Sequence, residues 1–311
     1  MHCVIGVDEA GYGPNLGPLV VTATSWELPD ELSVEDFWEF LHPCVSQNSP
    51  SDPDRIHVAD SKLVHSSSRG IANLERSVSV LLESMGVLSS EWHALRSRLE
   101  IATPGLSGEP WFDGRSLSLP VLEHDGLEAL SGSLTDSLKD AGVRSNGTRT
   151  CVLTTREFNR RVADQGSKGV VLSQISLELV ASLWSPEVKT LVICDKHGGR
   201  NRYDDFLQEI CEGEFIFRIE EGRARSVYRT GRAEFRFQTK AEQFFPVAVA
   251  SMISKYLRET AMELFNCYWT ERIPGLKPTK GYPEDALRFR RDVEMIRQEL
   301  GIPDDVFWRN R

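Results

Sequence analysis

The sequence has few cysteines, and none of them are clustered. The six cysteines of the 311-residue chain lie far apart, and no two form a C-x-x-C pair. A structural zinc site needs closely spaced ligands, and a disulfide framework is typical of short secreted chains. Cys3, Cys151 and Cys194 fall within apolar, strand-like runs, where a reduced cysteine packs as a small hydrophobic residue. We therefore expect reduced thiols and a cytoplasmic protein.

The chain also lacks long hydrophobic runs. No apolar segment approaches the roughly 20 residues that a membrane-spanning helix requires. The first eight residues, Met1 to Asp8, contain no basic region followed by an apolar stretch and a cleavage site, so we expect no signal peptide. A membrane partner is not expected.

Positive charge is scarce overall but unevenly distributed. The chain has 36 Lys and Arg against 46 Asp and Glu, which gives a net charge of −10. Between Lys196 and Arg291 there are 18 basic and 14 acidic residues, a balance of +4, and the remainder carries −14. Because the local field decides whether a polyanion binds, the sequence permits a basic surface on an acidic protein.

Strand and helix patterns alternate in a way that favours an α/β domain. The opening segments Cys3–Val7 and Leu19–Thr24 predict an antiparallel pair, and the continuously apolar run Thr190–Cys194 predicts a central strand. The other predicted strands are Thr150–Leu153, Phe215–Ile219 and Ala233–Phe237, and the other long helices are Val170–Leu183 and Pro246–Cys267.

One further helix and one insertion complete the predicted organisation. The apolar spacing from Ile71 to Met85 predicts an amphipathic helix, capped by the serines at 66–68 and ended by Gly86. Residues 101–149 are rich in Gly, Ser, Pro and Asp, which indicates a surface insertion. We expect a catalytic domain over 1–290, with this insertion, and a helical tail over 291–311.

Four acidic residues lie where apolar elements would direct them toward a cleft. Asp8 and Glu9 end the first strand, Asp195 ends the central strand, and Glu259 shares a helix stripe with Met252 and Tyr256. Carboxylates gathered at one place require cations, and hard oxygen ligands select Mg²⁺ or Mn²⁺. Each residue taken singly also fits a turn, a helix cap or a surface ion pair.

Five sequence segments, taken in order, give these acids a context. They are Gly6–Pro14 continuing to Gly17–Val21, Ala59–Leu63, Asp195, Ala250–Glu259 and Lys280–Tyr282. This ordered set resembles the type 2 ribonuclease H family, which comprises ribonuclease HII and ribonuclease HIII. Glu259, where ribonuclease HII has Asp, is similar to ribonuclease HIII, and Tyr12 stands where ribonuclease HII typically has Arg.

The resemblance implies a fold, an activity and a catalytic set. The fold would be an RNase H-like mixed sheet of five strands flanked by helices, with a helical C-terminal portion. The activity would be hydrolysis of the RNA strand of an RNA–DNA hybrid to 5′-phosphate and 3′-hydroxyl ends, using two Mg²⁺ or Mn²⁺ ions. Asp8 would bridge both ions, Asp195 and Glu259 would each complete one side, and Glu9 would hold an ion or its water.

The resemblance also implies residues that bind the hybrid. Gly11 and Gly13 would let the backbone approach the 2′-hydroxyls of RNA. Tyr12 would stack on a sugar or base or cover the sheet edge, and Tyr282 would lie near the nucleic acid or in the core. The cations that would hold phosphates are Lys62, Lys255, Arg258 and Lys280.

Two other functions remain open from the sequence. Tyr12 and the unusual segment after Asp195 are compatible with a hybrid-binding protein that has lost catalysis on the same scaffold. An actin-like or sugar-kinase-type ATPase also places Asp and Gly after its first strand, but only residues 195–199 faintly suggest its second phosphate loop. We expect a monomer.

Overall fold

The computed structural model of the chain describes residues 1–49, 52–65, 70–101, 108–211 and 213–310. Nine strands lie within these ranges. They are β1 (His2–Ala10), β2 (Leu19–Leu28), β3 (Val45–Ser46), β4 (Ile56–His57), β5 (Arg144–Leu153), β6 (Thr190–Asp195), β7 (Phe217–Glu221), β8 (Arg225–Thr230) and β9 (Ala233–Gln238).

Helices surround the sheet, and most of the chain after β9 is helical. The described helices are α1 (Phe37–Phe40), α2 (Ser61–Val64), α3 (Ala72–Ser84), α4 (Trp92–Leu99), α5 (Leu127–Asp140), α6 (Thr155–Gln165), α7 (Lys168–Leu183), α8 (Asp204–Ile210), α9 (Phe245–Thr270), α10 (Pro283–Glu299) and α11 (Asp304–Phe307). Short 3₁₀ turns at Val34–Asp36 and Ala241–Gln243 precede α1 and α9.

The main sheet is mixed and has the strand order β5-β2-β1-β6-β9-β8-β7. The β1/β6 and β6/β9 pairs are parallel, and the other pairs are antiparallel. The predicted α/β class, with a mixed sheet, flanking helices and a helical C-terminal portion, is confirmed. The predicted antiparallel opening pair is β1 with β2, and the predicted central strand is β6, between β1 and β9.

The sheet has seven strands, two more than the five that the resemblance implied and one more than the six predicted from the residue patterns. The basic connection between the predicted strands at 215–219 and 233–237 itself contains β8, which pairs with β9 and carries β7 on its outer side. β8 forms because Val227 and Tyr228 are buried, whereas Arg225 and Arg229 remain exposed. Three consecutive buried residues between two exposed arginines do not form the period-2 alternation by which a strand is recognised in a sequence, so the pattern gave no signal for β8.

The position of α9 depends on a glycine in β1. A Cβ on Gly6 would lie 2.5 Å from the backbone nitrogen of Val247 and closer still to the carbonyl carbon of Pro246. The Thr24 hydroxyl donates to the Pro246 carbonyl at 2.8 Å, so β2 holds the same turn of the helix. Only a residue without a side chain lets the helix backbone approach the strand this closely.

The region predicted as a surface insertion packs into the main core instead. Trp111, Phe112, Leu130 and Leu134 are all buried, and α5 packs against α3. The polar composition of the segment concealed these apolar side chains, which lie on one side of α5 and in the turns before it. Residues 102–107 of the predicted insertion lie outside the described residues.

Helix boundaries follow the sequence signals in part. α3 ends just before Gly86, which has a φ of +70°, as predicted. Its N-cap is Ile71, and the serines at 66–68 that were predicted to cap it lie outside the described residues. The predicted division between residues 290 and 291 falls inside α10.

Two features bear on the expectations drawn from composition. The six cysteines are all free thiols, and five of them are buried. None of the helices in the described ranges has both the length and the apolar composition needed to cross a membrane.

Gly6→Ala should destabilise the protein by about 3 kcal/mol, because the added methyl group meets backbone atoms that cannot rotate away. Urea unfolding measures the change. Gly132→Ala is the matched control, since Gly132 lies within α5 with open space around it, and this substitution should raise the free energy of unfolding by up to about 1 kcal/mol. Equal stability of the Gly6→Ala variant and the original protein would contradict the close approach of α9.

Candidate active site

Parallel pairing of β1 with β6 brings three of the four predicted acids to one edge of the sheet. Val7 lies opposite Cys194 in the register, so Asp8 and Asp195 come next on adjacent strands. Neighbouring strands lie about 4.8 Å apart, which places their carboxylates within strong electrostatic range. Glu9 follows directly on β1, and we refer to Asp8, Glu9 and Asp195 as the acidic cluster.

The carboxylates of the acidic cluster resist ionisation. Burial, followed by repulsion from Glu9, raises the pKa of Asp8 well above its usual range, and a hydrogen bond from Ser251 opposes the shift. Burial and the negative charge of Asp195 raise the pKa of Glu9 to about 7. Carboxylates that repel each other in a partly desolvated place are stabilised by bound cations or by protons.

A further carboxylate, Glu242, belongs with this cluster. Burial raises the pKa of Asp195, and the charge of Glu242 is the next largest cause. Glu242 lies in the 3₁₀ turn between β9 and α9, and β9 runs parallel to β6. The sequence interpretation missed it. The signal was present, since Glu242 follows a predicted strand and the carboxyl ends of parallel strands meet at one edge.

Lys62, which was predicted to bind phosphate, lies beside the acidic cluster. Asp60 caps α2, accepting from the Lys62 backbone amide at 3.0 Å. The charges of Asp60, Asp8, Glu242 and Glu9 together raise the pKa of the Lys62 ammonium. The side chain is exposed, so its charge partly offsets the cluster and still faces solvent.

Glu259 is not brought together with the other three acids. Ser251, which hydrogen-bonds Asp8, lies eight residues earlier on α9, and eight residues span about 12 Å along a helix axis. The Glu259 carboxylate accepts instead from Lys255 at 2.7 Å and from Lys280 at 2.8 Å. Burial alone would raise its pKa, but these two ammonium groups hold it at about 2.

The cations predicted to bind phosphate near Glu259 therefore have internal partners. Lys255 and Lys280 both pair with Glu259, although Lys280 remains half exposed. Arg258 is buried, and its guanidinium donates to the carbonyl oxygens of Leu16 and Lys280 at 3.4 and 3.1 Å. Burial therefore makes Arg258 a support for the chain rather than the phosphate-binding cation that was predicted.

The glycine segment Gly11-Tyr12-Gly13 leaves β1 next to the acidic cluster. Gly11 has a φ of +95°, and a Cβ there would lie 2.6 Å from the Arg258 Nε atom. Gly13 is exposed with open space around it. Burial and the nearby charge of Glu9 raise the pKa of the Tyr12 phenol, whose ring lies 4.4 Å from the Lys168 ammonium. Tyr12 is half-buried and packs against the core on the side of the sheet that α7 covers.

Arg309, which the sequence analysis did not identify, supports this glycine segment. Its guanidinium donates to the Gly11 carbonyl at 2.6 Å and packs 4.0 Å from the centroid of the Phe158 ring. Its backbone amide donates to Asn15 at 2.9 Å. Arg309 is buried, and its residue type and position in sequence gave no signal of this role, since the contact joins the two ends of the chain.

Tyr282, a predicted substrate-binding residue, lies at the periphery of the site, and His197 follows Asp195 closely in the chain. Tyr282 is half exposed at the N-cap of α10, with the Arg258 guanidinium 5.9 Å from its ring centroid. His197 is buried, and its Nδ1 atom lies 3.0 Å from the Ser173 hydroxyl. Burial lowers the pKa of His197 to about 3, so it contributes no charge near the acidic cluster.

The chemistry of the acidic cluster suits a hard divalent cation. The carboxylates of the acidic cluster and of Glu242 offer oxygen ligands, and the Oδ1 atom of Asp195 is buried without a hydrogen-bond partner in the described part of the chain. Within the same described ranges, no three His, Cys, Asp or Glu side chains already stand close enough together to hold a metal ion. In its chemistry, as a set of carboxylate oxygens, the donor set fits Mg²⁺ or Mn²⁺.

Comparison with known proteins gives structural likeness only. No protein-family model matches the sequence, and no curated protein matches it significantly. Among solved structures, ribonuclease H2 from Pyrococcus horikoshii OT3 is 17% identical with a TM-score of 0.44, covering 98% of this chain and 92% of that chain. At this level the likeness establishes neither the family nor the activity of the chain.

Two further structures show likeness of the same order. RNase HII of Archaeoglobus fulgidus, solved in complex with PCNA, is 17% identical with a TM-score of 0.42, covering 99% of this chain and 94% of that chain. Bst-RNase HIII, solved in complex with Mn²⁺, is 15% identical with a TM-score of 0.38, covering 93% of this chain and 62% of that chain.

The raised pKa of Glu9 predicts a definite pH dependence of stability in metal-free buffer. A carboxyl whose folded pKa exceeds its unfolded pKa stabilises the fold at low pH, and this contribution is lost as the pH rises from about 4.5 through about 7. Glu9→Gln should therefore become more stable than the original protein as the pH rises through this range. Denaturant unfolding at several pH values checks this, and parallel curves for the two proteins would contradict it.

Neutralising Glu259 and neutralising Glu242 should have different effects on the stability of the protein. Glu259→Gln leaves Lys255, Lys280 and buried Arg258 without a counter-charge and should cost about 3 kcal/mol at pH 7. Glu242→Gln removes repulsion from Asp195 and should leave stability equal or slightly higher. Thermal and urea unfolding of both variants provide the measurement. A destabilised Glu242→Gln beside an unchanged Glu259→Gln would reverse the assignment of the two residues.

Proposed function

We propose that the chain is a metal-dependent nuclease of the type 2 ribonuclease H class, which hydrolyses the RNA strand of RNA–DNA hybrids. The observation that carries the proposal is the convergence of Asp8, Glu9 and Asp195, with Glu242 beside them, at one edge of the sheet. The glycine segment next to this cluster supports it, because it exposes backbone where a hybrid would approach.

In this proposal Asp8, Glu9, Asp195 and Glu242 hold the divalent ions, with Glu242 in the place that the sequence analysis gave to Glu259. Divalent ions held by these carboxylates would supply a lowered pKa to the attacking water and neutralise charge on the leaving oxygen. The water oxygen bonds to phosphorus, the bond from phosphorus to the 3′-oxygen breaks, and the products carry 5′-phosphate and 3′-hydroxyl ends. Asp8 would lie between the other two acids of the cluster, since Glu9 follows it on β1 and Asp195 is its neighbour on the adjacent strand β6.

The remaining residues of the site bind and orient the substrate. Lys62 faces solvent beside the carboxylates and is placed to contact the phosphate next to the bond that is cut. The Gly11–Gly13 backbone, held by Arg258 and Arg309, presents a fixed surface for the 2′-hydroxyls. Tyr12 lies beside Glu9 on the side of the sheet that α7 covers and limits the access of water there. Fixed positions of these groups favour the reactive geometry.

Asp8→Asn and Glu242→Gln should each reduce hybrid cleavage at least about 100-fold, because loss of a metal ligand costs no less than loss of the residues that orient one. The test uses three labelled duplexes, a continuous hybrid, a duplex with one ribonucleotide and an all-DNA duplex, each with Mg²⁺, Mn²⁺ or EDTA. Cleavage should occur only with metal and only at RNA.

Glu263→Gln is the matched control, since Glu263 is an exposed acid on the same helix α9 and lies outside the site. It should cleave at the original rate. Tight binding of the hybrid without turnover in either metal would favour a binding protein on this scaffold. Nucleotide binding without hybrid cleavage would favour an ATPase, and full activity of Asp8→Asn would refute the proposed mechanism.

A further inference from the structure

The chain between Asp195 and helix α8 forms a loop, residues 196–203, that is anchored from inside the protein. Lys196, its first residue, is buried. The Lys196 ammonium lies 2.7 to 3.3 Å from four oxygen atoms, which belong to Arg200, Asn201, Gly222 and Ser226. Because two of these oxygens belong to the loop itself, the buried charge fixes the shape of the loop.

Buried aromatic rings anchor the other end of the loop. The His197 backbone amide donates to the Tyr203 hydroxyl at 3.1 Å, and the Tyr203 ring stacks on Phe237 with the two centroids 3.6 Å apart. The Tyr203 amide in turn donates to the Tyr228 hydroxyl at 3.0 Å. The part of the loop that solvent reaches is therefore its middle, residues 198–202.

The middle of the loop lies at the edge of the sheet that carries the acidic cluster. The loop follows the carboxyl end of β6, and the glycine segment follows the carboxyl end of β1, which runs parallel to β6. The two segments contact each other, since a Cβ on Gly198, whose φ is +59°, would lie 2.7 Å from the Tyr12 hydroxyl oxygen. Helix α7 begins at the same place, with the Lys168 ammonium 4.4 Å from the centroid of the Tyr12 ring.

Tyr12 lies near both the acidic cluster and Arg200. Burial and then the charge of Glu9 raise the pKa of the Tyr12 phenol, and the positive charge of Arg200 opposes this shift. Arg200 packs on Phe206, which belongs to the core on the α7 side of the sheet. Lys62 belongs to α2, which packs against α9 on the other face. The two cations therefore approach the acidic cluster from opposite sides.

Arg200 has no counter-charge in the described part of the chain. It forms no ion pair there, and its Nε atom is buried without a hydrogen-bond partner. Its guanidinium carbon lies 4.7 Å from the centroid of the Phe206 ring, so packing limits its orientation. Arg202 differs, because it is exposed and lies 3.6 Å from a carboxylate oxygen of Glu221. An anion bound to Arg200 would supply the partner that this partly buried guanidinium lacks.

We propose that Arg200 binds a backbone phosphate of the nucleic acid on the α7 side of the acidic cluster. The inference rests on the proposed function and adds a second phosphate contact to that of Lys62. A guanidinium binds phosphate through two parallel hydrogen bonds, and Gly198 and Gly199 place no side chains in front of the loop backbone. A strand held on both sides of the acidic cluster crosses it in a fixed position, which favours the reactive geometry.

Arg200→Met tests the contact, because it removes the charge and keeps an unbranched side chain to pack on Phe206. Binding of a labelled hybrid to the Asp8→Asn protein is followed by fluorescence anisotropy from low to high salt. Arg200→Met should raise Kd about 10-fold and reduce the slope of log Kd against log salt by about 1, for one lost phosphate contact. Arg200→Lys should keep the slope, since it keeps the charge. With Asp8 intact, Arg200→Met should raise KM and leave kcat within about twofold.

Arg202→Met is the matched control, since it removes the same charge from the same loop at a residue that pairs with Glu221. It should leave Kd, KM and the salt slope unchanged. Melting temperatures verify that each variant is folded, and Arg200→Gln replaces Arg200→Met in every measurement if the latter does not fold.

A second measurement changes the substrate instead of the protein. Hybrids in which one phosphate at a time is replaced by an uncharged methylphosphonate are bound to the Asp8→Asn protein, with and without Arg200→Met. At the phosphate that Arg200 contacts, the replacement should weaken binding about 10-fold when Arg200 is present and have little effect in the Arg200→Met variant. At every other phosphate the two proteins should respond equally. A merely structural role of Arg200 would leave the two patterns the same.

The outcomes separate this inference from the proposed function. Hybrid cleavage by the unmodified protein, together with unchanged Kd and salt slope in Arg200→Met, overturns the phosphate contact and leaves the nuclease in place. The same methylphosphonate pattern in both proteins, or equal weakening by Arg202→Met, also overturns the contact. Absence of both hybrid binding and hybrid cleavage in the unmodified protein overturns both the contact and the proposed function.

Discussion

The close packing of α9 on β1 is the constraint on which the site depends. Gly6 leaves no side chain between the strand and the first turn of the helix. One to two turns further along α9, Ser251 hydrogen-bonds the Asp8 carboxylate, and the Ser254 hydroxyl donates to the Asp8 carbonyl at 3.1 Å. The helix thereby fixes the end of β1, and with it the position and the partial burial of the acids that follow.

Two groups of charged residues next to α9 have net charges of opposite sign. The acidic cluster gathers carboxylates with Lys62 as the nearby cation, and their pKa values are raised. Around Glu259 one carboxylate is surrounded by several cations, and its pKa is lowered. The second group stabilises the fold by itself. The carboxylates of the first group repel one another, and groups with raised pKa values of this kind are typical of functional sites.

Two buried guanidinium groups give the glycine segment a rigid support. Arg258 comes from α9 and Arg309 from the C-terminal segment, and both donate to carbonyl oxygens of the loop that follows β1. Repulsion from Arg258 adds to burial in lowering the pKa of Arg309. Burial and repulsion of the two guanidinium groups are unfavourable, and they occur at a loop that borders the carboxylates. The contacts of Arg309 also join the two ends of the chain where the substrate is proposed to bind.

The sequence by itself determined the α/β class, the main strands and helices, and the placement of Asp8, Glu9 and Asp195 at strand ends, because short-range periodicity sets where a strand runs and where it stops. Only the tertiary structure decided that Glu242 joins them while Glu259 pairs with lysines, that Arg258 is buried, and that residues of the supposed insertion fill the core. A helical stripe shows which side chains share a face. How far along that face a side chain lies from a strand end depends on where the helix packs, and packing is settled by contacts between residues distant in sequence.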